Sequence, residues 1–318
     1  MNFLQKQWFL IGLAAVLAIG FVAPQSVLAL FQSEHLRSAI VAGVLFLMAL
    51  PLEPAALGRT LSRPLAPGLA ILLNSVVMPL IAWPLAMLLS KELESGLLIA
   101  VAVPCTLASA TVWTRKAGGN HFVAILVTVV TNFFCFLTTP FWVHLFTGQN
   151  ARLSLDDMIT KLAIVVVIPM VVAQLLRLVK GVPHFALQQK VLLATLAQIG
   201  ILVMVCIGAA ETTHRTDSSV PGLAIGPLLM MLVLVNVLHI GTLLLGILSG
   251  RVCKLPRADQ IAIGIAGSQK TLMVGITIAL DLGASIFPML AFHVCQLFVD
   301  TLVVQRFAAR TAAIELDD

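Results

Sequence analysis

The sequence predicts an all-α polytopic membrane protein, with ten transmembrane helices in two inverted five-helix repeats. Three observations carry that prediction. Hydrophobic residues fill 60% of the 318 positions and charged residues 10%, with a mean hydropathy of +1.06; a soluble domain carries about 25% charged residues. The apolar residues gather into ten segments, each near the ~20 residues that crossing hydrocarbon requires. Lys and Arg fall unevenly between the two sets of loops. No hydrophilic stretch is long enough for a soluble domain, and the net charge of +5 sits in short loops. There it orients a chain in a lipid bilayer rather than gripping nucleic acid.

In order, the spans read 8–24, 36–52, 65–90, 95–115, 120–145, 157–179, 187–210, 222–250, 258–281 and 284–306. The first resembles a secretory signal, with Lys6 before an apolar run. Further spans follow it and Val27-Leu28-Ala29 is a poor cleavage site, so it reads as span 1. An even number of spans puts both termini on one side. Loops and tails on that side hold Lys6, Arg59, Arg63, Arg115, Lys116, Arg177, Lys180, Lys190, Arg251, Lys254, Arg257, Arg306 and Arg310; the opposite loops hold Arg37, Lys91, Arg152, Lys161 and Arg215. Thirteen against five is a positive-inside bias, so both termini are expected in the cytoplasm.

The loop 146–156 divides the chain into residues 1–150 and 151–318, five spans each. An odd number per half inserts the two halves in opposite orientations, the inverted-repeat design in which interrupted segments at matching positions mark the transport site. The fourth span of each half is interrupted. Span 4 carries Pro104-Cys105-Thr106 and then Ser109, Thr111 and Thr114; proline lacks an N–H and obstructs the carbonyl four residues back. These hydroxyls are expected to satisfy the freed groups or coordinate an ion. Span 9 centres on Gly264, Gly267, Ser268, Gln269, Lys270 and Thr271. A mid-depth Lys costs roughly 2.5–3.5 kcal/mol on the insertion scale, so the segment must be buried in protein and line a polar cavity. If Lys270 is not part of a site, it snorkels or pairs with Asp281 or Asp300. Its glycines, with Gly275, allow close backbone approach.

Other polar residues complete the inventory. Thr131 and Asn132 lie one turn beyond Thr128 in span 5 and can face the span 4 break with it. Asn236 and His239 in span 8 read as interhelical hydrogen-bonding residues. His293 and Gln296 share a face of span 10, and Asp300 is expected to pair with Arg306. Gln198 points toward substrate, whereas Glu211 reads as solvated at the outer edge. Trp8, Trp83, Trp113 and Trp142 read as interfacial anchors. The methionines read as packing, and Cys105, Cys135, Cys206, Cys253 and Cys295 as small hydrophobes without a disulfide framework. There is no HExxH, no nucleophile elbow and no pair of intramembrane aspartates, so an enzyme is not expected. A single Lys also does not make the ring of a channel filter.

Four motifs then resemble the bile acid:sodium symporter superfamily, in its bacterial sodium-bile-acid-symporter-like branch. They are Asn74-Ser-Val-Val-Met-Pro79, Pro104-Cys-Thr-Leu-Ala-Ser109 running on to Ala117-Gly-Gly-Asn120, Ala266-Gly-Ser-Gln-Lys-Thr-Leu272, and Phe292-His-Val-Cys-Gln296. The resemblance implies a panel of spans 1, 2, 6 and 7 and a core of spans 3–5 and 8–10. Spans 4 and 9 cross as broken helices, with sodium at the crossing and substrate between core and panel. Asn74 falls where these symporters use an amide, Ser109 and Thr128 match hydroxyls of the first sodium site, and Gln269 matches the amide of the second. The chain departs from the pattern at Ala110, in place of Asn, at Ile265, in place of the acid that bridges both ions, and at Lys270.

The reading is therefore a secondary active transporter of a small or amphipathic organic anion, working by alternating access without a cofactor or metal centre. Its substrate- and ion-binding residues are expected among Asn74, Thr106, Ser109, Thr111, Thr128, Asn132, Ser268, Gln269, Lys270, Thr271, His293 and Gln296. Na+ or H+ would be the coupling ion. Lys270 is expected to occupy the space of a sodium ion, either fixing the crossover or titrating in proton coupling. The alternative is a non-transporting membrane regulator that keeps the symporter fold.

Overall fold

A computed structural model describes residues 3–52, 60, 63–147, 154–215 and 225–317. Most of the dividing loop, with Arg152, lies outside the described residues, as do Arg59 and positions 222–224 of the eighth predicted span. The same holds for the side chains of Lys6, Arg215 and Arg310. All regular structure among the described residues is helical. In chain order it comprises α1 (Phe3–Val22), α2 (Pro24–Leu30), α3 (Glu34–Ala49), α4 (Leu65–Ala86), α5 (Lys91–Ala102), α6 (Ser109–Lys116), α7 (His121–Phe133) and α8 (Cys135–Thr147). Then follow α9 (Leu155–Leu176), α10 (Val182–Gln188), α11 (Lys190–Arg215), α12 (Ile225–Val252), α13 (Arg257–Ser268), α14 (Leu272–Leu282) and α15 (Phe287–Asp317).

Among the described residues, six helical segments are long and apolar enough to cross a membrane, or eight if α1–α2 and α7–α8, bent by 101° and 65°, each count as one. That makes the chain an integral membrane protein. Span 4 is split into helices of 12 and 8, the interruption expected there, α3 has 16 residues, and several other helices are bent or locally widened. Prolines account for most departures. Pro24 opens α2 at the bend after α1. Pro79 and Pro169 each follow a wide turn of five residues, Leu73–Val77 in α4 and Ala163–Val167 in α9, closed by N–H bonds from Met78 to Leu73 and from Ile168 to Ala163. A proline supplies no N–H to the carbonyl four residues earlier, and the helix widens locally to accommodate it.

The helices pack in two groups. α1, α2, α3, α9, α10 and α11 pack with one another, as do α4 to α8 and α12 to α15. The groups meet along a seam where α14 lies against α11 and α3, and where α8 lies against α9. In the second group α12 and α13 approach closely enough that a Cβ on Gly246 would fall 2.7 Å from the Gly264 Cα. Only glycine fits there. The segment Arg257–Leu282 is enclosed by other helices throughout its most apolar window, which is why it tolerates a Lys at its centre.

Candidate transport site

The site forms where the interruption after α5 crosses the one after α13. Val103 precedes Pro104 and is extended (φ −76°, ψ 159°), so α5 ends there. The chain runs on without helix until Ser109. Five carbonyls around that run find donors from other segments. Thr139 Oγ1 donates to the Ala102 carbonyl at 3.0 Å, Lys270 Nζ to Val103 at 2.9 Å and the Thr271 N–H to Pro104 at 2.9 Å. Asn132 Nδ2 donates to Cys105 at 2.7 Å and Thr128 Oγ1 to Thr106 at 3.1 Å, while the Cys105 N–H reaches Thr131 Oγ1 at 3.3 Å. In a membrane interior such groups must be satisfied within the protein. The expectation that the span's own hydroxyls do this is corrected in part: the Thr111 and Thr114 hydroxyls are shielded and have no hydrogen-bond partner, and spans 5 and 9 do the patching.

The second interruption, Gln269–Thr271, contains no proline. Two amide side chains hold it open. Gln296 clasps Lys270 by its backbone, accepting from the N–H at 2.9 Å and donating to the carbonyl at 3.1 Å. Asn74 Nδ2 donates to the Gln269 carbonyl at 2.8 Å. Gln296 Nε2 also meets His293 Nδ1 at 3.2 Å, which orients that ring.

Lys270 is buried and, among the described residues, bonded to no acid. Its ammonium sits on three oxygens: the Asn74 carbonyl at 2.6 Å, the Val103 carbonyl at 2.9 Å and Asn74 Oδ1 at 3.3 Å. The first is available for a local reason. The wide turn sends the Met78 N–H to Leu73, and Pro79 has no N–H, so the Asn74 carbonyl lacks a partner within its helix. The next carbonyl, Ser75, is freed in the same way and accepts from the Trp142 indole at 2.7 Å. Trp142 is thus buried in the helix packing, contrary to its reading as an interfacial anchor.

Beside Lys270, Gln269 Oε1 accepts from Thr106 Oγ1 at 2.8 Å and Ser109 Oγ at 2.9 Å, while its Nε2 donates to Asp300. Asp300 is fully buried and also meets His239 Nε2 at 3.2 Å, which corrects the expected pairing with the exposed Arg306. His239 Nδ1 faces the Ser268 carbonyl at 3.2 Å. A carbonyl can only accept, so Nδ1 is the donor in this contact. Sequence reasoning treated His239 and Asp300 as structural residues of two separate spans. Their polarity within apolar runs was the available signal. Ile265, where the resemblance puts the bridging acid, packs with Ala117, Leu243, Ile261 and Val304 in an apolar cluster. A carboxylate at that position would be out of place here.

Of the predicted site residues, Asn74, Thr106, Ser109, Thr128, Asn132, Gln269, Lys270, Thr271 and Gln296 meet at the crossing. The Ser268 hydroxyl turns back to the Ile265 carbonyl of its own helix. Thr111 and His293 instead line a cavity of about 290 Å³ in the seam. This cavity runs from Thr106, Ser109 and Thr271 to Arg115, His121 and Lys190, with an apolar wall that includes Leu47, Met48 and Ile201, and Gln198 faces it as expected.

A second seam cavity of about 300 Å³ lies toward the other face, among Glu34, Arg37, Lys161, Glu211 and Asp281. Glu211 is ion-paired with Arg37 there and not simply solvated.

Residues 7–309 match the SBF-like CPA transporter family. The chain is 27% identical over 239 residues to the "Probable sodium/metabolite cotransporter BASS4, chloroplastic" of Arabidopsis thaliana, covering 71% of this chain and 55% of that protein. It is 25% identical to the "Putative symporter YfeH" of Escherichia coli over 74% of this chain and 72% of that one. With the "Sodium/bile acid cotransporter 7-A" of Xenopus laevis it shares 21% identity over 95% and 91% of the two chains. The crossed interruptions, the seam cavities and the match over nearly the whole length lead to one conclusion: the chain belongs to the SBF-like CPA transporter family and is an integral membrane transport protein.

Proposed function

We propose that this protein is a secondary carrier of a small or amphipathic organic anion, and that Lys270 stands where a coupling sodium ion would sit. The observation that carries this is the ammonium on three carbonyl oxygens, with no carboxylate among them. Oxygen cages of that kind suit a hard cation. All three ammonium protons find acceptors, whereas a neutral amine would turn a lone pair toward one of them. The geometry therefore supports flux that needs no sodium.

The first cavity supports that substrate class. Its volume is at the small end of ligand sites. Arg115 and Lys190 make no ion pair among the described residues and attract an anion to the mouth, while the apolar wall accepts its body. The α4–α8 and α12–α15 group acts as the core and moves against the other as the panel, in a ten-span, two-repeat chain. By the charge asymmetry the first cavity opens to the cytoplasm of a bacterial cell, and the second faces outward.

Uptake of a panel of organic anions into proteoliposomes tests this, with external Na+ exchanged for K+ and with a pH gradient imposed. Saturable flux that ignores the Na+/K+ exchange and is lost in Lys270→Met is the expected result. Strictly sodium-dependent flux that survives Lys270→Met would overturn it. Absence of flux for every anion would favour a membrane regulator that keeps the fold.

A further inference from the structure

The two seam cavities lie in line. On α11 the first is lined as far as Ile201 and the second begins at Met204; on α14 the limits are Met273 and Thr277. Three or four residues of helix rise about 5–6 Å. An apolar layer one turn thick, including the fully buried Val274 and Ile276, therefore separates the cavities. Beyond it the outer cavity is lined by charge. Lys161 of α9 donates to Glu34 of α3 at 2.7 Å and to Asp281 of α14 at 2.8 Å. Arg37 pairs with Glu211 and also donates to the Phe31 carbonyl at 2.8 Å.

These pairs differ in what they join. Glu34, Arg37, Lys161 and Glu211 all belong to the α1–α3, α9–α11 group, so Lys161–Glu34 and Arg37–Glu211 move as one body. Lys161–Asp281 crosses the seam. Asp281 stands in the last turn of α14, the half-helix that begins directly after the Lys270–Thr271 turn. Among the ion pairs described at this cavity, displacement of that half-helix therefore breaks Lys161–Asp281 and leaves Lys161–Glu34 and Arg37–Glu211 in place. Lys161 and Asp281 are each 19% exposed, so water can reach the parted carboxylate.

We infer that Lys161–Asp281 is the outer gate of the transport path, a charge-assisted bond that ties the two helix groups together on the side of the outer cavity. The inference rests on the carrier reading for its purpose. Its test needs no substrate, and the two can therefore fail separately.

The test is thiol labelling of purified protein in nanodiscs, in a background with Cys206, Cys253 and Cys295 replaced by alanine and the buried Cys105 and Cys135 retained. One reporter is Thr277→Cys in the outer cavity and the other is Ala194→Cys in the inner one. Lys161→Met and Asp281→Asn should each speed maleimide labelling at position 277 about tenfold and slow it at 194, the shift that loss of a partly exposed charge-assisted bond supports. Lys161→Arg should return both rates to the parental values, which separates gating from misfolding. Glu34→Gln should change them less than about twofold, because its bond stays within one body. Unchanged rates in Asp281→Asn, or equal opening by Glu34→Gln, would overturn the gate. Labelling that shifts in a protein without flux would leave the gate standing and remove the carrier reading; flux with unmoved labelling would do the reverse.

Discussion

Two interruptions cross at the centre of this protein, and they are held open by different means. The one after α5 is imposed by covalent geometry, because Pro104 ends the helix whatever surrounds it. Its freed groups are then taken by residues from α7, α8 and the opposing turn. The one after α13 has no proline. Gln269, Lys270 and Thr271 leave the helix because Gln296 and Asn74 offer their backbone better partners than the helix would. The first is overdetermined, with many weak supports. The second depends on two amides, and it is the one that carries the charge.

Removing one of those amides should therefore have the largest effect. Gln296→Leu strands both the N–H and the carbonyl of Lys270 where no water reaches them, at a cost of about 2–4 kcal/mol. An SDS-unfolding titration reads the loss directly, and flux should fall with it. Lys270→Met comes next, at about 1–3 kcal/mol. It strands the Asn74 and Val103 carbonyls, but it also removes a charge that was expensive to bury, and the two terms oppose one another. Should Lys270→Met prove the more damaging of the pair, the ammonium and not the amide clasp would be what holds the turn open.

The sequence made the two interruptions legible through violations of an otherwise apolar run. Pro104 and the Gly264-to-Thr271 cluster cannot continue an ordinary membrane helix, and Asn74, Thr128, Asn132 and Gln296 are polar where lipid-facing residues would be apolar. Each proved to touch the crossing. What stayed hidden was pairing across long separations and any partner that is backbone. Asp300 invited a local reading with Arg306, six residues on, but its partners His239 and Gln269 lie 61 and 31 residues away. Trp142 has the composition of an interfacial anchor, yet its indole serves a carbonyl that Pro79 set free 67 residues earlier. The cage around Lys270 is mostly main-chain oxygen, which no side-chain pattern announces. The helix count suffered for a related reason: hydropathy reports an apolar stretch and not the bend or break within it.

The smaller effects belong to the proline-imposed elements. Trp142→Phe keeps the stack on Phe146, whose ring centroid lies 5.4 Å away, and loses only the bond to Ser75, so about 1 kcal/mol is expected.

Pro104→Ala should cost less than about 1 kcal/mol, an unusual expectation for a proline at the centre of the crossing. Alanine restores an N–H that can bond to the Ala100 carbonyl, and an isolated helix would continue through it. Continuation here would pull the Val103, Pro104 and Cys105 carbonyls away from Lys270, Thr271 and Asn132, so closing the break gives up bonds that the surrounding helices already supply. The interruption should therefore outlast the residue that imposed it, with stability near wild type in the same SDS titration and flux within about twofold, since a change of that size is below ~0.5 kcal/mol. If Pro104→Ala instead matched Gln296→Leu, the supports around the first interruption would be too weak to hold it without covalent help. The two breaks would then differ in position but not in kind.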